Sequence, residues 1–310
     1  MIAVVSTAGD VHYECVAEEL RRMGKESFLV EIPKLGNTAR FTMATGGGSC
    51  QLWSVPGQAP IDLEKVSCVW YRRIYPPVLT PAPASAADTD WALREWREAM
   101  TGAFAVSGVR FVSDPWKQEL AGMKSYQLRV ARNVGLRVPD TLMTNDADAA
   151  RTFIRKHEGR VIHKVVKTPR YRWVPTKKWH PDDEAELRWL YLTPTLFQEW
   201  IRAPFELRVT IVGRRVFAAE FAVGEGMADA RTLLDEPFVR HRLPPETESL
   251  LLRLMNELGL QYGTVDLKRC ENGEYVFLEV NPQGQFLYVE IKTGMPITRA
   301  MAELLSHDPV

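Results

Sequence analysis

The sequence predicts an α/β chain that passes into antiparallel β-structure, an α+β arrangement of two or three small domains sharing buried interfaces. Three observations carry this expectation. Residues 1–32 read strand, helix, strand. Alternation on either side of Gly213-Arg214 marks a β-hairpin, and Tyr262–Glu290 holds another at Asn272-Gly273, a dipeptide suited to two turn positions with positive φ.

Composition narrows the class. The 310 residues are 45% apolar and 25% charged, as in a globular protein. The 39 basic and 39 acidic residues cancel, so net charge gives no reason to expect nucleic acid or an anionic membrane as partner. Met1 runs directly into the strand-like IAVVS, without a basic n-region, and no apolar stretch approaches bilayer length. The expectation is a cytoplasmic protein. Cys15, Cys50, Cys68 and Cys270 form no CxxC pair and no zinc spacing; they read as reduced and mostly buried.

The strand IAVVS is followed by a helix from His12 to Gly24, with Val16, Leu20 and Met23 on one side, and by strand FLVEI. Arg40–Thr45 and Cys50–Val55 flank Gly46-Gly47-Gly48. With no Lys-Ser/Thr pair and no helix after it, this is a hairpin turn rather than a phosphate loop. SCVWYRRI, residues 67–74, predicts a strand ending near the surface with Arg72 and Arg73 exposed. Pro76–Asp88 reads as a flexible connection, and Asp90 caps a helix to Ser107 with Ala92, Trp96, Ala99, Met100 and Ala103 inward.

Ser113-Asp114-Pro115 opens a long helix, Trp116 to Asn133, with Lys124 in its middle and Gly135 as its stop. Strand VPDTLMT and a helix from Asp146 to His157 follow. Strand Arg160–Val166 sets Lys164 between apolar neighbours, a place where an ammonium needs an anionic partner. Lys167–His180 is a basic, aromatic loop that covers phosphates or peptide or is simply solvated. Glu184–Leu192 is a short helix, and Thr195–Ile201 a strand with Gln198-Glu199 between Phe197 and Trp200. In the hairpin Glu206–Val212 and Arg215–Phe221, Glu206 and Arg208 share a face. They suit a mutual salt bridge, or paired recognition of a ribose and a phosphate. Thr247–Leu258 is an amphipathic helix, and Gly294-Met295-Pro296 starts a last one.

With a tight turn at Asn272-Gly273, Asp266 faces Glu279 and Thr264 faces Asn281, while Val265, Leu267, Leu278 and Val280 fill the other face. The acids either point to water or hold a cation. Facing like charges destabilise a sheet, and a divalent ion removes that cost. Mg²⁺ suits the set because it takes one or two carboxylates and completes its shell with water and substrate phosphates.

VWYRR, KSYQLRVARNVGLRVPDTLMTND, FQEWI, ELRVTIVGRRVFAAEF, YGTVDLK and FLEVNPQGQFLYVE together resemble the ATP-grasp enzymes, and within them the ligases that mature graspetides, the microviridin-type ω-ester and ω-amide peptides. There is no Walker loop and no GxGxxG. The resemblance implies a pre-ATP-grasp N-terminal α/β domain over 1–113, a small central domain over 114–199 and a C-terminal antiparallel-sheet domain over 200–310, with ATP between the last two. Lys124 and Lys164 resemble the phosphate-binding lysines. Gln198, Glu199, Trp200 and Ile201 look like the adenine hinge and Glu206 like the ribose acid. Arg208 resembles the arginine near the acyl phosphate, and Asp266, Glu279 and Asn281 the ligands of Mg²⁺, or of Mn²⁺ in its place. The family often has Asp-Trp-Arg where this chain has Asp229-Ala230-Arg231, and Arg231 joins Arg208 and Lys164 as a candidate catalytic residue.

The activity implied is ADP-forming closure, through an acyl phosphate, of bonds between Asp/Glu carboxylates and Ser/Thr hydroxyls or Lys amines in a ribosomal precursor peptide, leader plus core. Family members are often homodimers. A RimK-like ligase that adds amino acids to an acceptor is the first alternative. A non-catalytic peptide-binding relative is the second, and the intact Asp266, Glu279 and Asn281 set speaks against it.

Overall fold

The computed structural model describes residues 1–44, 51–54, 60–73, 75–167, 174–224 and 237–307. The triple-glycine turn, Cys50, residues 168–173 of the basic loop and Asp229-Ala230-Arg231 lie outside the described residues.

The N-terminal unit is built on β1 (Ile2–Val5), β2 (Ser27–Val30), β6 (Cys68–Tyr71) and β7 (Arg110–Val112), parallel in the order β2-β1-β6-β7. All four residues of β1 are buried, as both faces of a parallel sheet are covered. Between β2 and β6 lie the short antiparallel strands β3 (Arg40–Thr42), β4 (Gln51–Ser54) and β5 (Ile61–Asp62). Helix α1 (Val11–Arg22) starts where Asp10 accepts the His12 N–H. Helix α2 spans Ala86–Val106 and is capped by Ser85 rather than Asp90, because Ser85 accepts the Asp88 N–H and the next residues continue the helix. The connection before it is therefore shorter than the sequence suggests.

Arg72 is the larger correction. It is completely buried, not exposed, because β6 ends against the C-terminal unit and not in solvent. Cys15 is exposed, Cys68 buried and Cys270 half-buried, so burial holds for one of the three described cysteines.

The predicted long helix is two. Helix α3 (Pro115–Ala121) ends at Gly122, and α4 (Lys124–Val134) begins two residues later. Glycine is a poor helix former, and Gln127 stabilises the break: its Nε2 donates to the Ala121 carbonyl at 2.9 Å while its Oε1 accepts the Val280 N–H at 2.8 Å. Lys124 is thus the first residue of a helix and not the middle of one.

The central sheet runs β10-β9-β11-β8, antiparallel, from β8 (Thr141–Thr144), β9 (Val161–Val165), β10 (Lys177–Lys178) and β11 (Thr195–Glu199). Helix α5 (Ala147–Lys156) packs Ala150, Phe153 and Ile154 against it. Pro181–Leu192 is a 3₁₀ helix beginning earlier than the sequence suggests, with His180 and Asp183 forming a reciprocal cap.

The C-terminal sheet runs β14-β13-β12-β15-β16, from β12 (Phe205–Val212), β13 (Arg215–Ala222), β14 (Val239–His241), β15 (Tyr262–Arg269) and β16 (Tyr275–Asn281). Its apolar face packs on α4 and on α6 (Pro245–Glu257). Helices α7 (Leu287–Thr293) and α8 (Ile297–Ser306) return to the N-terminal unit, and their buried residues share one core with β1, β6 and α1.

The β15–β16 hairpin departs from the two-residue turn. The Cys270 N–H donates to the Glu274 carbonyl and the Cys270 carbonyl accepts the Gly273 N–H, closing a loop of Glu271-Asn272-Gly273 in which only Gly273 has positive φ, +84°. The three-residue loop shifts the ladder by one residue, so Leu267 faces Phe277. A bulge at Leu278 shifts it back, and Asp266 faces Glu279 and Thr264 faces Asn281, as expected. Phe277 therefore takes the core position assigned to Leu278.

Candidate active site

Residues of the central and C-terminal antiparallel sheets line a cleft that encloses about 300 Å³, at the lower end of the range for ligand sites. Lys124, Lys164, Gln198, Glu199, Trp200, Ile201, Glu206, Asp266 and Glu279 all line it. Arg208 joins through its hydrogen bond to Asp266. Asn281, at the end of β16, pairs with Thr264 and is exposed. Arg231 lies outside the described residues.

Strand periodicity accounts for the convergence. Lys164 on β9 stands opposite Leu196 of β11, so it shares a face with Gln198 two residues on. Its Nζ donates to Gln198 Oε1 at 3.4 Å, and Gln198 Nε2 donates to Thr141 Oγ1 at 2.9 Å. The Glu199 carboxylate ties the end of β11 to Arg137 at 3.1 Å and to the Asp140 N–H at 3.1 Å. Lys178 Nζ lies 3.4 Å from the centre of the Trp200 ring, a cation–π contact at the same corner.

Glu206 and Arg208 share a face of β12 but do not pair with each other. Each finds a partner across the ladder on β15: Lys268 Nζ donates to Glu206 Oε1 at 2.7 Å, and Arg208 to Asp266. Lys124 donates to Glu279. Burial opposes ionisation of Glu279, but Lys124 and Lys164 outweigh it and hold the carboxyl well below its ordinary range. For Asp266 burial wins: together with Glu279 opposite, it raises the carboxyl despite Arg208.

Two facing carboxylates with unequal proton affinity, bordered by three cations, can bind a hard divalent ion with an anion such as a phosphate chain. The donor set fits Mg²⁺, which needs only one or two protein carboxylates when phosphates complete its shell. Among the described residues no group of three or more His, Cys, Asp or Glu side chains is placed to hold a metal.

Lys268, Leu278 and Tyr288 are site residues that sequence reasoning passed over. Lys268 is two residues from Asp266 and so carried a readable signal. Leu278 enters the cleft lining only through the bulge. Tyr288, on α7, lies near Arg208 and Asp266, and burial raises its phenol, with Asp266 adding to the effect; the turn of chain that brings α7 back has no local signature.

Fold and site together define the ATP-grasp class. Within it, the chain is similar to macrocyclases and a ligase solved in part with their precursor peptides. It aligns with the macrocyclase MdnC of Microcystis aeruginosa MRC, bound with precursor peptide MdnA, at 28% identity over 99% of both chains with a TM-score of 0.90. The macrocyclase MdnB of the same organism gives 29% identity, 98% of both chains and a TM-score of 0.83. A Chryseobacterium gregarium RiPP-associated ATP-grasp ligase, in complex with ADP and a leader and core peptide, gives 26%, 98% of this chain and 96% of that one, and 0.86. Among curated proteins, β-citrylglutamate synthase B of Danio rerio is 24% identical over 236 residues, 74% of this chain. The alignment spans 56% of that relative's length. No family model matches. Among the described residues, no helix is long and apolar enough to cross a membrane.

Proposed function

We propose that this protein is an ATP-dependent macrocyclase that closes ω-ester or ω-amide bonds within a ribosomal precursor peptide. The observation that carries the reading is that Lys124, Lys164, Asp266 and Glu279, with Arg208 bonded to Asp266, converge in a cleft that the β11 hinge also lines. That layout suits a nucleotide laid from base to γ-phosphate. The hinge, Gln198 to Ile201, takes adenine; Glu206, steadied by Lys268, takes ribose hydroxyls; Lys124 and Lys164 take phosphate oxygens. Asp266, Glu279 and Asn281 hold Mg²⁺, with Mn²⁺ as a substitute, and the ion supplies charge neutralisation of the phosphates.

Carboxylates resist attack by alcohols and amines at neutral pH, so the acid is first activated. A side-chain carboxylate of the peptide attacks the γ-phosphorus, ADP leaves, and an acyl phosphate forms. Lys164 and Arg208 face the charge that develops on the transferred group and stabilise it by fixed position; Arg231 is the third candidate cation for this role. A Ser/Thr hydroxyl or Lys amine of the same peptide then attacks the acyl carbon, its proton is lost and phosphate departs. Each bond costs the peptide one water.

The division into 1–113, 114–199 and 200–310 belongs to the same reading, supported by the containment of each larger sheet within one range. Helices α3 and α4 lie in the middle range by sequence yet pack on the C-terminal sheet.

The test is mass spectrometry of peptides encoded beside the gene after incubation with protein, ATP and Mg²⁺. Loss of water in integral steps is the expected result, and its absence with every neighbouring peptide overturns the reading. The likeness to β-citrylglutamate synthase B favours a second reading, a ligase that joins separate molecules; acceptor mass would then rise.

A further inference from the structure

We propose that Arg72, Asp10 and His12 of the N-terminal unit are positioning residues that set the side chain of Asn281, so that a site formed by the other two units is completed by the first. The proposal rests on the reading of Asp266, Glu279 and Asn281 as cation ligands.

Arg72 sits just after β6 with no exposed surface. Its Nη1 donates to the carbonyls of Gln283 at 3.1 Å and Gly284 at 3.2 Å. Its Nε lies 3.3 Å from Oδ2 of Asp10, which also accepts from Ser6 Oγ at 2.5 Å and caps α1. His12 Nε2 accepts the N–H groups of Phe286 at 3.1 Å and Leu287 at 3.3 Å, while Nδ1 lies 3.5 Å from Asp10 Oδ1. Tyr262 Oη donates to the Gly284 carbonyl at 2.6 Å. Gly284 presses so closely on β15 that a Cβ there would fall 1.8 Å from Thr264 Oγ1.

This grip reaches the site through one bond. The N–H of Gln283, the residue whose carbonyl Arg72 holds, donates to Asn281 Oδ1 at 2.9 Å, and Gly284 N–H donates to the Asn281 carbonyl at 3.2 Å. The amide of Asn281 is therefore oriented by a segment that the N-terminal unit fixes. Removing a group that orients a metal ligand commonly weakens the metal about 10- to 100-fold. A buried ion pair adds little stability over apolar packing of the same volume, so the polarity of this interface points to the geometry it enforces.

The experiment uses the full chain with saturating ADP and titrates Mn²⁺, followed by electron paramagnetic resonance. ADP affinity without metal is measured by calorimetry, and amide exchange at residues 283–287 is followed in parallel. In Arg72→Met and His12→Phe, Mn²⁺ affinity is expected to fall about tenfold, metal-free ADP affinity to stay within about twofold, and exchange to accelerate. His12→Gln keeps an acceptor and is the milder variant, expected to show the same split at smaller size if the others fail to fold. Faster exchange with unchanged Mn²⁺ affinity overturns the proposal, and so does an equal loss of metal and nucleotide. If the unaltered chain binds ADP but no Mn²⁺, the cation-ligand reading itself fails.

Discussion

Glu279 and Asp266 face each other with opposite electrostatic fates. Lys124 and Lys164 keep Glu279 ionised, whereas burial and its neighbour raise Asp266. Glu279→Gln preserves shape and removes the charge; it is expected to fold normally and lose about a hundredfold or more of Mg²⁺-dependent turnover, since metal binding at this corner depends on that charge. ADP-release kinetics across a Mg²⁺ series check this, and near-normal rates count against the assignment. Lys164→Ala is expected to weaken ADP binding by about tenfold, the order of one charge-assisted hydrogen bond, as read by calorimetry. His12 gives a pH dependence. Burial lowers its pKa, with Asp10 pulling it up and Arg72 and Arg73 pushing it down. The unfolded chain then binds the proton more readily, so stability is full above the ordinary His value of about 6.5 and is lost as pH falls through and below it. Melting curves from about pH 7 to pH 5 should be flatter in His12→Gln. Lys164, Glu206, Asp266 and Glu279 were legible in the sequence because strand alternation assigns a face to every second residue. Arg72 was not: SCVWYRRI contains nothing of the loop at 283–284 that covers it.

Two irregular elements shape the cleft. The break at Gly122 ends one helix so that another can begin at Lys124, and the hairpin has a long loop and a bulge whose offsets cancel. A two-residue turn and a three-residue loop plus bulge put the same acids opposite each other, which is why alternation paired Asp266 with Glu279 despite the wrong turn. They differ in which apolar residue enters the core. Deleting Leu278 should leave a regular ladder with Asp266 still facing Glu279 and Phe277 still inside, while one wall of the cleft is lost. The expected outcome is a melting temperature within a few degrees of the parent with weaker ADP binding. A collapse in stability would show that the bulge also relieves strain in the ladder. The sequence could not reveal the helix break, because Gly122 in a helical pattern is tolerated often enough that only Gln127, reaching Ala121 and Val280, decides it.

At the scale of the molecule, the cleft lies between the central and C-terminal sheets, and the contacts of Arg72 and His12 with residues 283–287 lie between the N-terminal and C-terminal units. Ligand binding at the cleft should therefore stabilise the whole cooperative structure. ADP at about a hundred times its metal-free Kd is expected to add about 2.7 kcal/mol, and more once Mg²⁺ is added at the same ADP concentration, visible as a rise in melting temperature; equal shifts with and without Mg²⁺ would argue against a shared site. The succession from a parallel sheet to antiparallel sheets was legible because strand and helix patterns change along the chain. How the last two helices return to the first sheet was not, since Ile297, Ala300, Met301 and Leu305 form an apolar stripe that any partner face could cover.

That return has a consequence for how the protein comes into being. His12 meets Phe286 across 274 residues of chain, and Arg72 meets Gln283 across 211. Contacts of such span close late and slow a fold. During synthesis the first sheet leaves the ribosome with Asp10 and Arg72 still awaiting their cover, and the cation end of the cleft becomes ordered only after α7 has emerged. On the proposed reading, a nascent chain lacking that helix would carry Lys124 and Lys164 but no fixed Asn281, which delays the formation of a competent site until nearly the whole protein is present to enclose it.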